Sequence, residues 1–113
     1  MKQETYDFLA IVKIPVPFPG FDMLGESIDY TAEKMARNIY PSLGEIEEIM
    51  GEKFHMKATA VDRHMRRALM HAEYRSGVYP NKELVEFGKI YVCNEFTPKK
   101  FIYAAARRAN HGK

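Results

Sequence analysis

Residues 54–74 read FHMKATAVDRHMRRALMHAEY, and two patterns are superimposed in that stretch. Val61, Met65, Ala68 and Ala72 recur at i, i+4, i+7 and i+11, the spacing that aligns side chains on one face of a 3.6-residue helix. Thr59, Asp62, Arg63 and Arg66 recur at i, i+3, i+4 and i+7 on a different face. The first set predicts a buried seam, so the stretch predicts a long helix packed into an all-α domain. The second set collects side chains that can read base edges. An arginine fork donates two bonds to guanine O6 and N7, a carboxylate accepts from cytosine N4, and a threonine methyl meets the thymine methyl.

Working outward, this helix is expected over residues 57–76, closed by Gly77. Ser42 predicts the N-cap of a preceding helix to about residue 53, with Glu45 as its capping-box partner and Leu43, Ile46, Ile49 and Met50 on its buried side. The connection through Phe54 and His55 is short, so residues 43–76 fit a helix-turn-helix. Gly51 stands where the two helices must approach closely, and His55 occupies the turn position where glycine is often found.

Upstream, residues 4–14 predict a short helix with Phe8, Leu9, Ile11 and Val12 apolar, broken by a stiff, extended Pro-Val-Pro-Phe-Pro-Gly linker at 15–20. Residues 21–38 predict a second helix with Leu24, Ile28, Ala32, Met35 and Ile39 inward. Downstream, residues 81–87 read as a short helix closed by Gly88, and residues 89–95 alternate weakly, as an extended segment would. Thr97-Pro98 opens a last helix to about Ala109, with Phe101, Ile102, Ala105 and Ala109 inward and Lys99, Lys100, Arg107 and Arg108 outward. Tyr74, Phe87, Met50, Met65 and the aromatic residues of the first two helices are assigned to the core. The expected fold is all-α, a single bundle of about six helices forming one domain over residues 1–113.

Composition narrows the function classes. A chain of 113 residues with 46% hydrophobic content supplies one modest core. No apolar run approaches the roughly 20 residues that span a bilayer, and the N-terminus lacks a secretory pattern, so a cytoplasmic, nucleoid-associated protein with no membrane partner is expected. The single Cys93 offers no CxxC site and reads as a small apolar filler. His64 and His71 lie seven apart on one helix, about 10.5 Å of rise, too far for one ion. No metal and no cofactor is expected, and no catalytic residue: the Glu45-Ile46-Glu47-Glu48 run is accompanied by no phosphate loop, HExxH or nucleophile elbow. The net charge of +2 is unevenly distributed. Residues 1–52 hold 4 Lys and Arg against 10 Asp and Glu, a net of −6, and residues 53–113 hold 13 against 5, a net of +8. That asymmetry points to an anion-binding face in the second half, although charged helical surfaces are common without one.

The order of elements and several local motifs resemble the C-terminal DNA-binding effector domain of the stage-zero sporulation master response regulator of spore-forming bacteria. The run Val61-Asp62-Arg63-His64-Met65-Arg66-Arg67-Ala68-Leu69 is similar to that family's recognition helix, where Val-Glu-Arg precedes an apolar residue, Arg, a basic residue and a small-apolar pair. Tyr74 stands where the family has Trp, just before Arg75-Ser76-Gly77, and Phe87-Gly88, the Pro98 to Ile102 opening and Gly20 find counterparts too. The resemblance implies a six-helix bundle that binds promoter boxes, with Arg63 and Arg66 on base-contacting positions and Asp62 on that of a base-contacting Glu. Asp62 is one methylene shorter than that Glu, Arg67 replaces a His, and the acidic third helix lacks the family's Tyr-Pro, which leaves the operator open. The receiver domain that precedes this effector in the family is not in the sequence, so either an excised half or a stand-alone relative fits.

The expected function is thus sequence-specific double-stranded DNA binding in transcription regulation. Asp62, Arg63, Arg66 and Thr59 are the candidate base readers, and Lys57, Arg67, Lys53 and His55 the candidate phosphate contacts. A second copy on tandem sites and RNA polymerase are further candidate partners. For Arg63 and Arg66 the plain alternative is a solvated face with an Asp62–Arg66 ion pair. The rival function is a small helical interaction module that regulates a protein partner without binding DNA.

Overall fold

Where the six helices start is largely local chemistry. In the computed structural model, which describes residues 1–75, 77 and 79–111, they are α1 (Gln3–Ile11), α2 (Pro19–Ala36), α3 (Leu43–Phe54), α4 (Ala58–Tyr74), α5 (Lys82–Ile90) and α6 (Pro98–Asn110). Ser42, Asn81 and Thr97 cap α3, α5 and α6 by accepting from the amides of Glu45, Leu84 and Lys100. Each cap satisfies an amide that the first turn leaves without a partner. Glu45 does not complete a capping box with its own side chain, because its carboxylate accepts from the Tyr30 hydroxyl at 2.9 Å.

Where the helices stop follows a rule the sequence hides. Ile14, Ile39, Met56 and Cys93 donate to Leu9, Lys34, Gly51 and Gly88, each bond reaching back five residues, and the residue before each donor is left-handed. Those residues are Lys13, Asn38, His55 and Val92, with φ between 55° and 66°. This is the Schellman closure, which usually takes glycine because a Cβ costs roughly 1 kcal/mol or more in that conformation. Here α1, α2, α3 and α5 all close without it.

Several expectations are corrected accordingly. Residues 89–95 are not extended: α5 continues to Ile90, then turns through Val92, and there is no strand among the described residues. The proline-rich segment is a turn rather than a straight linker, since Phe18 donates to Pro15 O and α2 already begins at Pro19. α4 ends at Tyr74; the expected last residue, Ser76, lies outside the described residues. Ile39, read as inward, is exposed because the chain turns away at the end of α2, and the apolar Ile11 at the end of α1 is exposed as well. Tyr74 is 56% exposed and stacks on Tyr79 at 5.8 Å between ring centroids, so it is not core.

The hub is α2, which packs on α1, α3, α4 and α6. Its buried face, Phe21, Met23, Leu24 and Ile28, meets Ile46 and Met50 of α3, the seam of α4, and Phe101 and Ile102 of α6 in one apolar cluster. Gly20 lets the start of α2 press on α4: a Cβ there would stand 2.3 Å from His64 O and 2.8 Å from Ala68 Cβ. The buried Asn81 ties three segments together, donating to Val12 O (2.9 Å) and Ala72 O (2.8 Å) while its Oδ1 caps α5. No described helix is long and apolar enough to cross a membrane.

Candidate nucleic-acid interface

The seam read from residues 54–74 is the buried side of α4. Val61, Met65, Ala68 and Ala72 are each fully inaccessible, joined by Leu69. Burying that seam fixes the rotation of the helix about its axis, which turns Thr59, Arg63 and Arg66 outward, all exposed. The same stripe continues at i+11 to Met70, 56% exposed, and ends near Tyr74. Sequence reasoning did not single out Met70; the 3.6-residue period from Thr59 was the signal that would have found it.

The approach of α3 to α4 sets the base of this face. Residues 55–57 join them, His55 supplying the left-handed turn and Met56 N–H donating to Gly51 O at 2.9 Å. The close approach expected at Gly51 is present: a Cβ there would be 2.6 Å from Met56 O. No side chain caps the first amides of α4, whose N-cap is Lys57, and no acidic residue sits in its first turn. The positive end of that helix dipole therefore carries no side-chain cap among the described residues, with the exposed Lys57 and His55 beside it.

The remaining candidates are engaged by neighbours. Arg66 Nε donates to Asp62 Oδ2 at 2.7 Å, the i,i+4 pair that the plain alternative foresaw. Glu47 of α3 stands beside Asp62, close enough for a protonated Glu47 to donate to it. Burial raises the Asp62 carboxyl, but the Glu47 bond and the Arg66 guanidinium outweigh it and hold Asp62 below the usual carboxylate range. Glu47 shows the opposite: burial first, then the hydrogen bond and charge of Asp62, push it up to about 8. Arg67 lies over the Phe18 ring, Cζ 5.4 Å from its centroid. Lys53 Nζ pairs with Glu26 Oε1 at 2.8 Å, toward α2 rather than toward the stripe. Burial alone would raise Glu26, yet Lys53 and the Met1 amine, 2.7 Å from Oε2, hold it below its ordinary value.

The structure thus gathers Thr59, Asp62, Arg63 and Arg66 on one side of α4, with Lys57 and His55 at its start. Lys53 and Arg67 lie on the flanks with partners of their own. Glu47, which sequence reasoning treated only as part of an acidic run, is the residue of α3 that touches this group. Compared with known proteins, the chain matches no family model, no curated protein and no solved structure.

Proposed function

We propose that this protein binds double-stranded DNA sequence-specifically and regulates transcription, with α4 in the major groove, as its resemblance to the sporulation effector domain implies. The observation that carries the reading is the outer stripe of α4. Thr59, Arg63, Arg66 and Met70 stand exposed in register on a helix whose opposite face is fully buried. A rigidly seated helix presenting guanidinium forks and apolar tips matches the donor, acceptor and methyl pattern of base edges. Arg63, which has no ion-pair or ring partner among the described residues, is the leading base reader. Arg66 reads a neighbouring base with Asp62 orienting it, and the uncapped start of α4 with Lys57 and His55 receives a backbone phosphate.

The test begins with selection of a preferred box from a random duplex pool, followed by fluorescence anisotropy on that box and on scrambled DNA. Arg63→Ala should lower affinity for the box by about 1–3 kcal/mol and relax preference at one base pair, while Lys57→Ala should weaken all sequences alike. Equal losses on both DNAs for Arg63→Ala would remove the base-reading role.

A second reading, an interaction module for a protein partner, is favoured by a different surface. Tyr40, Ile90 and Val92 are 66%, 61% and 88% exposed around one open groove, a cluster of exposed apolar side chains of the kind that marks interaction surfaces. Salt separates the two readings. Binding to DNA phosphates should fall by roughly 0.9 log units per log unit of salt for each phosphate neutralised.

A further inference from the structure

Gly51 and Ala58 are the points where α3 and α4 come together, a Cβ on Gly51 standing 3.5 Å from Ala58 N. One helical turn back from Gly51 is Glu47, and one turn on from Ala58 is Asp62, so the two residues lie on the facing sides of the packed helices α3 and α4. Glu47 Oε2 is buried and no donor reaches it. Asp62, with 26% of its side chain exposed, holds Arg66 at 2.7 Å. A buried carboxyl oxygen that no donor reaches, facing a second carboxyl that already holds the one cation, favours a proton kept between the two.

We infer that Glu47 is a positioning residue for the base readers of α4, holding a proton against Asp62 and thereby making DNA binding proton-linked. The inference rests on the DNA-binding reading above and adds its regulation. With Glu47 protonated, its hydroxyl donates to Asp62, the Asp62 carboxylate orients Arg66, and the cluster carries no net charge. Once Glu47 ionises, a second negative charge sits beside Arg66. It pulls the guanidinium inward and repels the phosphates of an approaching duplex.

The groups that face Glu47 are few. From α4 they are Asp62 and Arg66. From α2, the other helix packed on α3, Tyr30 reaches Glu45 and Glu26 reaches Lys53. On α3 itself Glu48 is exposed beside it. The raised carboxyl of Glu47, at about 8, places the transition just above neutrality. The sign follows: binding is fully present below that value and weakens as pH rises through it.

Two measurements on the full chain test this separately. Carboxyl NMR of the free protein should show Glu47 titrating near 8 rather than in the ordinary glutamate range; a midpoint at 4 to 5 overturns the inference. On the selected box at fixed salt, wild-type affinity should fall about fivefold between pH 7 and 9, as one unit of linked pKa shift gives over that range. Glu47→Gln, which keeps the neutral amide donor and cannot ionise, should stay within about twofold. Equal pH profiles for wild type and Glu47→Gln overturn the inference while leaving DNA binding intact. A Glu47 midpoint near 8 with no duplex selected removes the DNA-binding reading, and the regulation built on it, but keeps the shared proton.

Discussion

Helices α4 and α6 look alike on paper, each apolar on one side and rich in Arg and Lys on the other, with no acidic residue in the first turn. Their cations are used differently. In α6, Lys100 pairs with Glu95 at 2.7 Å, Arg107 donates to Tyr91 O at 2.8 Å, Arg108 lies 4.4 Å from the Phe8 ring centroid, and Lys99 sits over Tyr103. The first three contacts staple α6 to α1 and to the segment after α5, while the Lys99–Tyr103 contact stays within α6. In α4, Arg63 faces solvent with no ion-pair or ring partner among the described residues, and Arg66 pairs with the helix's own Asp62. The N-termini differ as well: Thr97 caps α6, whereas nothing caps α4. A basic amphipathic pattern therefore keeps cations available only where tertiary packing leaves them unanswered, and the charge count of the second half overstates how many remain so.

The comparison can be broken most forcefully in the core. Phe101 of α6 is fully buried against Phe8 and Phe87, with centroids 6.0 and 5.6 Å away. Phe101→Ala should cost about 3–5 kcal/mol in chemical denaturation, enough to unfold a marginal domain. A loss under about 1 kcal/mol would deny α6 its place as scaffold.

A smaller and more telling effect is expected from the α6 arginines. Arg108→Ala should destabilise the fold by about 1 kcal/mol, through a lost ring contact and stem packing, with DNA selectivity unchanged. Arg63→Ala should do the reverse, leaving the denaturation midpoint in place while selectivity drops. If Arg108→Ala costs as much selectivity as Arg63→Ala, the division of labour between the two helices does not hold.

The smallest effect sharpens the account of the helix ends. Val92 is a β-branched residue at φ 55° and is 88% exposed, so a glycine there would relieve backbone strain and lose almost no packing. Val92→Gly should raise stability by about 0.5–1 kcal/mol, read as a rise in melting temperature, even after the added freedom of glycine in the unfolded chain is charged against it. An unchanged or lower melting temperature would mean that Val92 makes contacts its exposure conceals.

Much of the helical content was legible because its signals are local. The Ser42, Asn81 and Thr97-Pro98 starts and the Val61 to Ala72 seam depend on neighbours within one or two turns. The stops were harder to read, since Lys13, Asn38, His55 and Val92 close helices in a conformation for which glycine is the usual cue. Glycine was expected to end α5 at Gly88, whereas Gly88 instead lies inside the helix, where a Cβ would come 2.3 Å from Cys93 O. At the candidate site, the outer face of α4 could be read from periodicity alone. The attachments of Lys53 to Glu26, Arg67 to Phe18 and Asp62 to Glu47 could not, because each joins residues from different elements.

By itself the sequence determined six amphipathic helices in one all-α domain and the face of α4 that turns to solvent, since hydrophobic periodicity, caps and prolines act over a few residues. Tertiary structure alone decided which basic side chains remain free, which turns close without glycine, and that Glu47 stands behind Asp62. Those outcomes depend on the distance between chain segments brought together by packing, and no local pattern encodes that distance.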